Sequence, residues 1–371
     1  MHRRVFPLLF LLGLLLVIYV FQKLSLNESN ALIAEKRLTE CVALNNNQER
    51  YDCGKSFIES YYKVSDSNVL VNALRLTVLK NGEAGASMCH PYSELIGSVT
   101  SIDLGFDALD NLQYSCLGGF IHGVFYRLGL EYPASVVASK SIGVCESFSA
   151  GKPWVAGWDC RHGVGHAISE DPNISVNDMI NLCEDVYSTD HYRVDCFSGV
   201  VGGLVERLVK PKTFINGVSE KPWEFCYELR DIYKSVCLQR SGLLASTYYS
   251  ELEKILNICP DGDKDCFYGL GFYIGLVSLE IEPSRRVELC KKLGEDGFFP
   301  CLSGVIRSIT PEFWLLGLDP GICKVTTAKE YCENEQRVMR ERELSIEQIY
   351  NNKEFKVLSS DPAAWPIELR S

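Results

Sequence analysis

Apolar residues recur at helical intervals along most of the chain, and short polar turns separate the segments that carry them. The stretches VNDMINLCEDV (176–186), ELEKILNICPD (251–261) and EPSRRVELCKKL (282–293) show this pattern, and turns such as DGDKD and GEDGFF follow them. Apolar positions three and four residues apart form one face of a helix. The pattern therefore predicts an all-α protein of short helices that fold back on one another.

Cysteines mark these helical hairpins, since one stands near the end of a helix and the next near the start of the following helix. Antiparallel helices joined by a short turn bring two such positions within the distance that a disulfide spans. Sixteen thiols allow many other connectivities. The predicted bridges join successive cysteines: Cys41–Cys53, Cys89–Cys116, Cys145–Cys160, Cys183–Cys196, Cys226–Cys237, Cys259–Cys266, Cys290–Cys301 and Cys323–Cys332.

The amino-acid sequence around the second cysteine is similar in several of the pairs. A glycine follows it by three residues in five pairs, which is costly inside a helix unless a neighbouring backbone comes close. An aspartate precedes it in four pairs and is predicted to cap the second helix. The glycines are Gly119, Gly163, Gly199, Gly269 and Gly304, and the aspartates are Asp52, Asp159, Asp195 and Asp265.

A single hairpin of this kind cannot bury its apolar faces alone, but successive hairpins can bury them by stacking on their neighbours. We therefore expect an α-solenoid of disulfide-bridged hairpins over residues 89–335. Residues 23–88 are expected to form a stalk and a first hairpin, with a loop at 81–87, and residues 336–371 a capping helix and tail.

The N-terminus is the most apolar part of the chain. Arg3 and Arg4 precede an apolar segment at 5–22 that is long enough for a short membrane-spanning helix, and no small-residue cleavage site follows it. Basic residues favour the cytoplasmic side. These features predict a signal anchor, with residues 1–4 in the cytoplasm and the rest in the periplasm, at the cell surface or in a secretory lumen.

Composition supports this location and excludes one class of partner. Sixteen cysteines in 371 residues are typical of an oxidising compartment if they form disulfides. The net charge of −11 argues against nucleic-acid binding. Asn27 and Asn173 stand in N-x-S sequons and are possible glycosylation sites in a eukaryotic source.

The segment CPDGDKDCFYGLGFYIGL (259–276) resembles the disulfide-stapled unit of the Sel-like branch of tetratricopeptide-type repeats. Cys259, Cys266, Leu270, Gly271 and Tyr273 carry the resemblance. The other units have longer cysteine spacings and an irregular repeat length. The resemblance implies a helical-repeat architecture with a concave face that binds a protein or peptide.

Histidines are the part of the pattern that the repeat does not explain. His122 and His166 each stand six residues after their cysteine, and His162 lies one turn before His166. On neighbouring helices these imidazoles could bind zinc or copper, with His90 or Glu170 as a fourth ligand. Buried structural histidines are the alternative interpretation, and Gly163 stands where the H-E-x-x-H motif has its glutamate.

The sequence thus leads to two functional hypotheses. The first is a membrane-anchored scaffold that binds a protein or peptide and needs no cofactor. The second is a metal-binding protein, or a metal-dependent hydrolase or oxidoreductase, centred on His122, His162 and His166.

Overall fold

The structure, a computed structural model, describes residues 29–338 apart from 117, 151, 153, 210–214, 278–281 and 316–320. The described residues contain helices and turns and no strand. The α-helices are α1 (29–42), α2 (Asn47–Tyr61), α3 (Ser67–Leu104), α4 (Gly119–Glu131), α5 (Ala134–Ser141), α6 (Val144–Ser149), α7 (Trp154–Ser169), α8 (Val176–Val186), α9 (Asp190–Val209), α10 (Asp231–Leu238), α11 (Ser241–Ser246), α12 (Leu252–Ile255), α13 (Lys264–Val277), α14 (Pro283–Lys291), α15 (Gly294–Leu315), α16 (Ile322–Val325) and α17 (329–338). Short 3₁₀ helices cover Tyr62–Val64, Gly105–Asn111 and Glu224–Glu228.

All eight predicted disulfides are present, and each joins two successive cysteines. Their Cα–Cα distances lie between 5.3 and 5.8 Å, which is the usual range. No cysteine is free. The all-α class and the cysteine pairing are therefore confirmed, and so many disulfides are typical of an oxidising compartment outside the cytosol.

The longer helices form a row in which each contacts the next. The row consists of α3, α4, α7, α9, the α10–α11 pair, α13 and α15, and α15 also contacts α3. Shorter helices such as α5, α8 and α14 pack against these helices. We call this set the helix row. Because its last member touches its first, side chains from distant parts of the sequence can come together.

Glycines bring neighbouring helices of the row unusually close, and they do so in reciprocal pairs. A Cβ atom on Gly165 of α7 would lie 1.8 Å from the carbonyl oxygen of Cys196, and one on Gly199 of α9 would lie 1.9 Å from that of His162. Gly271 and Gly304 form the same arrangement between α13 and α15. Backbone therefore packs on backbone, which confirms the predicted role of Gly199 and Gly304.

Gly119 and Gly269 also face a neighbouring carbonyl, that of His90 and of Leu238 respectively. Gly163 differs, because its missing Cβ makes room for the ring of Phe125. At each of the five predicted positions, the glycine thus permits a close contact with an adjacent helix.

The predicted aspartate caps are wrong, because the second helix of each hairpin starts earlier than expected. Asp52, Asp159 and Asp195 lie inside α2, α7 and α9. In α13 the residue that accepts the first-turn N–H, from Cys266, is Asp263 instead of Asp265. Asp195 is buried and pairs with the Arg161 guanidinium at 2.8 Å, so its carboxylate neutralises a buried charge.

The predicted loop at 81–87 is also wrong, since α3 continues through it from Ser67 to Leu104. Leu74, Met88, Tyr92 and Ile96 of this helix are all buried. Tertiary packing on both sides therefore outweighs the low helix propensity of the glycines. The predicted boundary at residue 88 falls inside this helix.

The described part of the predicted stalk is a packed helix. Ala34 and Leu38 of α1 are fully buried, and the Thr77 hydroxyl of α3 hydrogen-bonds to the backbone carbonyl of Glu35. The predicted anchor at 5–22 lies outside the described residues, as do Asn27 and the tail beyond 338. Among the helices that the structure describes, none has the length and apolar character needed to cross a membrane.

We expect Gly199→Ala to destabilise the protein by about 1–3 kcal/mol, because the added methyl group would overlap the His162 carbonyl and push α7 and α9 apart. Urea unfolding under oxidising conditions measures the change.

Gly143→Asn is the matched control. Gly143 has a φ of +73° and no atom within 4 Å of its Cβ position, and asparagine tolerates this backbone conformation. The control should change the unfolding free energy by less than about 1 kcal/mol. Equal stability of the Gly199→Ala and wild-type proteins would show that the helices do not need this close approach.

Candidate functional site

Four histidines from three consecutive helices of the row form one cluster. His90 lies on α3, His122 on α4, and His162 and His166 on α7. The centroid of the His122 ring is 5.2 Å from that of His90, 5.3 Å from that of His162 and 5.4 Å from that of His166. We call these four residues the histidine cluster. The three predicted ligands are therefore neighbours, and His90 joins them.

The glycine contacts explain why imidazoles from three helices can meet. Gly119 of α4 packs against the His90 carbonyl of α3, and Gly199 of α9 packs against the His162 carbonyl of α7. A Cβ atom on Gly202 of α9 would lie 3.0 Å from Nε2 of His166 and 3.8 Å from Nε2 of His162. Gly202 therefore leaves space for the His166 ring.

Hydrogen bonds orient two of the rings. The Ser198 hydroxyl lies 2.7 Å from Nδ1 of His162 and 2.7 Å from the carbonyl oxygen of Asp195, and its hydrogen can be donated to either acceptor. Nδ1 of His90 lies 2.9 Å from the carbonyl oxygen of Cys116, which is only an acceptor. The His90 ring therefore carries a proton on Nδ1.

The remaining two rings complete the cluster. Nε2 of His166 lies 3.2 Å from Nε2 of His162, so one of the two nitrogens can donate a hydrogen bond to the other. Nε2 of His122 is buried and has no hydrogen-bond partner. A buried polar nitrogen without a partner is unfavourable by roughly 1–3 kcal/mol, which is unusual in the absence of a ligand.

Three rings of the cluster, those of His122, His162 and His166, are neutral at pH 7 because their pKa values are lowered. Burial lowers the pKa of His122 well below 6.5, and the nearby His90 and His166 add to the effect. Burial also lowers that of His162, with contributions from His166, His122 and Arg240. The pKa of His166 falls to about 4 through burial, Arg240 and His90. Neutral imidazoles are the form that binds metal ions.

The backbone next to the cluster is strained at one point. Cys116 has a φ of 48°, the only positive φ of a non-glycine residue that the structure describes. Its carbonyl accepts the His90 hydrogen bond, and its sulfur bonds to Cys89, the residue before His90. The disulfide therefore holds both ends of the contact that orients the His90 ring. Strain of this kind is common at functional sites.

Aromatic and charged side chains surround the histidines. The Trp158 indole stacks on the His162 ring with centroids 4.6 Å apart, and Arg161 beside it pairs with Asp195. The charge of Arg240 adds to the effect of burial in lowering the pKa values of His162 and His166. The site thus combines neutral imidazole rings with a stacked indole and nearby cationic side chains.

Glu170, the other predicted fourth ligand, lies one turn beyond the cluster. Burial raises the pKa of Tyr126 and the Glu170 charge adds to this effect, whereas burial lowers the pKa of Arg207 and the Glu170 charge opposes that change. Among the described residues, no group of three or more histidine, cysteine, aspartate or glutamate side chains is arranged so that it could hold a metal ion.

Sequence reasoning missed Ser198 and Arg240. A signal existed for both, because Ser198 stands two residues after Cys196, as His162 does after Cys160. Arg240 stands three residues after Cys237, where five other pairs have glycine.

Asn173, the second predicted glycosylation site, is exposed in the loop between α7 and α8. Glycosylation of this residue stays a prediction.

Comparison with models of protein families, with characterised proteins and with solved structures finds no match for this chain. The structure is compatible with a disulfide-rich helical repeat protein, and the Sel-like resemblance stays at that level.

We expect the metal-free protein to lose stability as the pH falls from about 6.5 towards 4. The unfolded chain binds protons on its histidines near pH 6.5, whereas the folded chain resists them, so stability rises with pH in this window. Each such histidine contributes a slope of about 1.4 kcal/mol per pH unit. Urea unfolding with a chelator present, repeated at several pH values, measures the slope.

His166→Asn serves as the comparison, since it removes one of these groups and keeps a polar side chain. Unfolding of this variant should take up about one proton fewer than unfolding of the wild type. Its unfolding free energy should therefore change less steeply with pH, by about 1.4 kcal/mol per pH unit. Identical slopes would mean that His166 titrates normally in the folded protein.

Proposed function

We propose that the helix row is a curved solenoid of disulfide-bridged hairpins and that its histidine cluster binds a transition-metal ion. The neighbour-to-neighbour packing, the reciprocal glycine contacts and the confirmed bridges support the solenoid. The contact between α15 and α3 supports a curvature strong enough to bring the ends of the row together.

One observation supports the metal site above all others. The Cys116 carbonyl holds the His90 ring with its proton on Nδ1, and the Ser198 hydroxyl contacts Nδ1 of His162. Metal-binding histidines have this arrangement, because the second ring nitrogen donates to a protein acceptor while the first coordinates the ion.

The distance between the two α7 rings fits the same interpretation. Two nitrogens at about 2.05 Å from a tetrahedral zinc ion lie about 3.3 Å apart, and Nε2 of His162 and His166 are 3.2 Å apart. The ion would displace the proton between them, which would move to Nδ1 of His166. His122, whose Nε2 lacks a partner, is the third ligand after a rotation towards this pair.

Ligand chemistry narrows the choice of ion. Imidazole nitrogens suit zinc and copper, whereas calcium and magnesium prefer oxygen ligands. We therefore propose Zn²⁺ or Cu²⁺, with His122, His162 and His166 as ligands and His90 as a candidate fourth.

The protein-binding scaffold stays a prediction, as does the single-pass membrane anchor with an extracytoplasmic body. Crosslinking followed by identification of the partner would test the scaffold.

We expect protein purified without a chelator or an affinity tag of histidines to bind one Zn²⁺ or Cu²⁺ per chain. His162→Asn combined with His166→Asn should abolish binding, because it removes the paired nitrogens. Elemental analysis gives the stoichiometry, and isothermal titration of the stripped protein gives the affinity.

Two further variants sharpen the test. Gly202→Ala keeps all the proposed ligand residues, but its methyl group would lie 3.0 Å from the His166 ring and displace it. We therefore expect the variant to bind the metal ion at least about tenfold more weakly. His191→Asn is the matched control, since His191 lies outside the cluster next to Tyr192 and its loss should leave the stoichiometry unchanged. Absence of stoichiometric metal in the wild type, or equal binding in the double variant, would refute the proposal.

A further inference from the structure

The first helices of the row point in the same direction. Gly119 of α4 packs against the carbonyl of His90 on α3, and Gly123, one turn later, packs against that of Glu94, also one turn later. Later residues of one helix therefore meet later residues of the next, which is parallel packing. The glycine contacts progress in the same way from α4 to α7 and from α7 to α9.

The second half of the row continues in this direction. The rings of Phe197 and Tyr233, in the first halves of α9 and α10, have centroids 5.0 Å apart. The glycine contacts then progress from α11 to α13 and from α13 to α15 as they do in the first half. The C-terminal ends of the row helices therefore share one end of the molecule.

This end of the molecule carries exposed apolar side chains. Four row helices have one in their last turn, and a fifth stands two residues after α11. Their exposed fractions lie between 38% and 60%, and the residues are Leu104 of α3, Leu130 of α4, Val209 of α9, Tyr248 and Leu276 of α13. We call these five residues the apolar face. Exposed apolar surface on this scale is typical of a site that contacts a protein or a membrane.

The start of the described chain lies at the same end. The side chain of Gln113, beyond the end of α3, donates a hydrogen bond to the hydroxyl of Ser67 at the start of α3, so this helix bends back and its ends meet. The Tyr61 hydroxyl, at the end of α2, donates to the carbonyl of Asn30 in the first turn of α1. Val64, between these two contacts in sequence, is also exposed.

The distance along the chain identifies the occupant of the apolar face. Residues 23–28 separate the predicted anchor at 5–22 from the first described residue, Ser29. Fully extended, these six residues span about 20 Å. A bilayer that holds the anchor is therefore close to the start of α1, where Leu32 and Ile33 are exposed as well.

We infer that the apolar face rests on the surface of the membrane, so that the helix row stands with the C-terminal ends of its helices towards the lipid. Apolar side chains at the face enter the boundary between headgroups and acyl chains, where their burial is favourable. The inference rests on the predicted anchor and is independent of the metal site.

Charges at this end favour apolar contact over attraction to anionic lipids. Lys63 precedes Val64, but Asp103 precedes Leu104, and Glu131, which follows Leu130, pairs with Arg127. Binding to anionic headgroups needs a cluster of cations, which these residues do not form. We therefore expect zwitterionic lipid to be sufficient.

The test uses the full chain in phosphatidylcholine nanodiscs, with photoreactive p-benzoylphenylalanine in place of Leu130 or, separately, Val209. Irradiation links this residue to the groups it contacts, and mass spectrometry identifies them. Because the face lies within the depth reached by interfacial side chains, we expect lipid adducts at both positions, at least about fivefold above the control. Adding anionic phosphatidylglycerol should change these yields by less than about twofold.

Ile142→p-benzoylphenylalanine is the matched control. Ile142 is equally apolar and 59% exposed, but it lies away from the apolar face. Cys145, three residues later, bonds to Cys160 in the first half of α7, towards the opposite ends of the row helices. This position should give few lipid adducts.

A second variant tests the contribution of the face itself. Leu130→Glu combined with Val209→Glu changes only exposed side chains and should leave folding intact. It should lower the lipid adducts of a photoreactive residue at Leu276 by at least about threefold, because carboxylates resist transfer into the interface.

Several outcomes would overturn the inference. They are equal lipid yields at Leu130, Val209 and Ile142, adducts with a second copy of the chain or another protein in place of lipid, and a need for anionic lipid. The loop after α7, which lies at this end, carries Asn173. A glycan found on this residue would hold the face away from the lipid and would also contradict the inference. None of these results bears on metal content.

Discussion

The close approach of neighbouring backbones at paired glycines is the contact on which the rest of the structure depends. Where Gly165 meets the Cys196 carbonyl and Gly199 meets the His162 carbonyl, no side chain separates the helices. Such contacts are weak individually, and glycine disfavours the helix that carries it. The disulfides offset this cost, because each one limits the freedom of the unfolded hairpin. The glycines thus allow the helices to pack closely, and the disulfides stabilise the hairpins that contain them.

The same close packing produces the histidine cluster. Helices separated by ordinary side chains could not place imidazoles from α3, α4 and α7 within about one ring diameter of one another. Once they are this close, burial and mutual repulsion favour the neutral form of His122 and His162. Neutral imidazoles are the form that binds metal ions, which is the basis of the proposed site.

The cysteine pairing and the glycine positions could largely be predicted from the sequence, because they depend on residues near one another along the chain. Most successive cysteines are separated by a short turn, so most of the pairing followed from chain connectivity, and Cys89–Cys116, 27 residues apart, is the longest exception. The glycine positions followed from the repeated sequence around Cys196 and Cys301. The aspartate caps failed because hydrogen-bonding propensity near a helix start does not reveal where the helix begins. Asp195 instead serves an ion pair with Arg161, from a different hairpin. Likewise, α3 continues through Gly85 because packing outside the segment holds it.

The sequence by itself determined the all-α class, the eight bridges and three of the clustered histidines, since the bridges join successive cysteines and the repeated pattern places His122 and His166 at the same position of their units. The tertiary structure alone decided that His90 joins the cluster, that the Cys116 carbonyl holds the His90 proton on Nδ1, and that Ser198 contacts His162. These features depend on distances between residues that are far apart in sequence. Such distances are set by the packing of whole helices, and no local pattern encodes them.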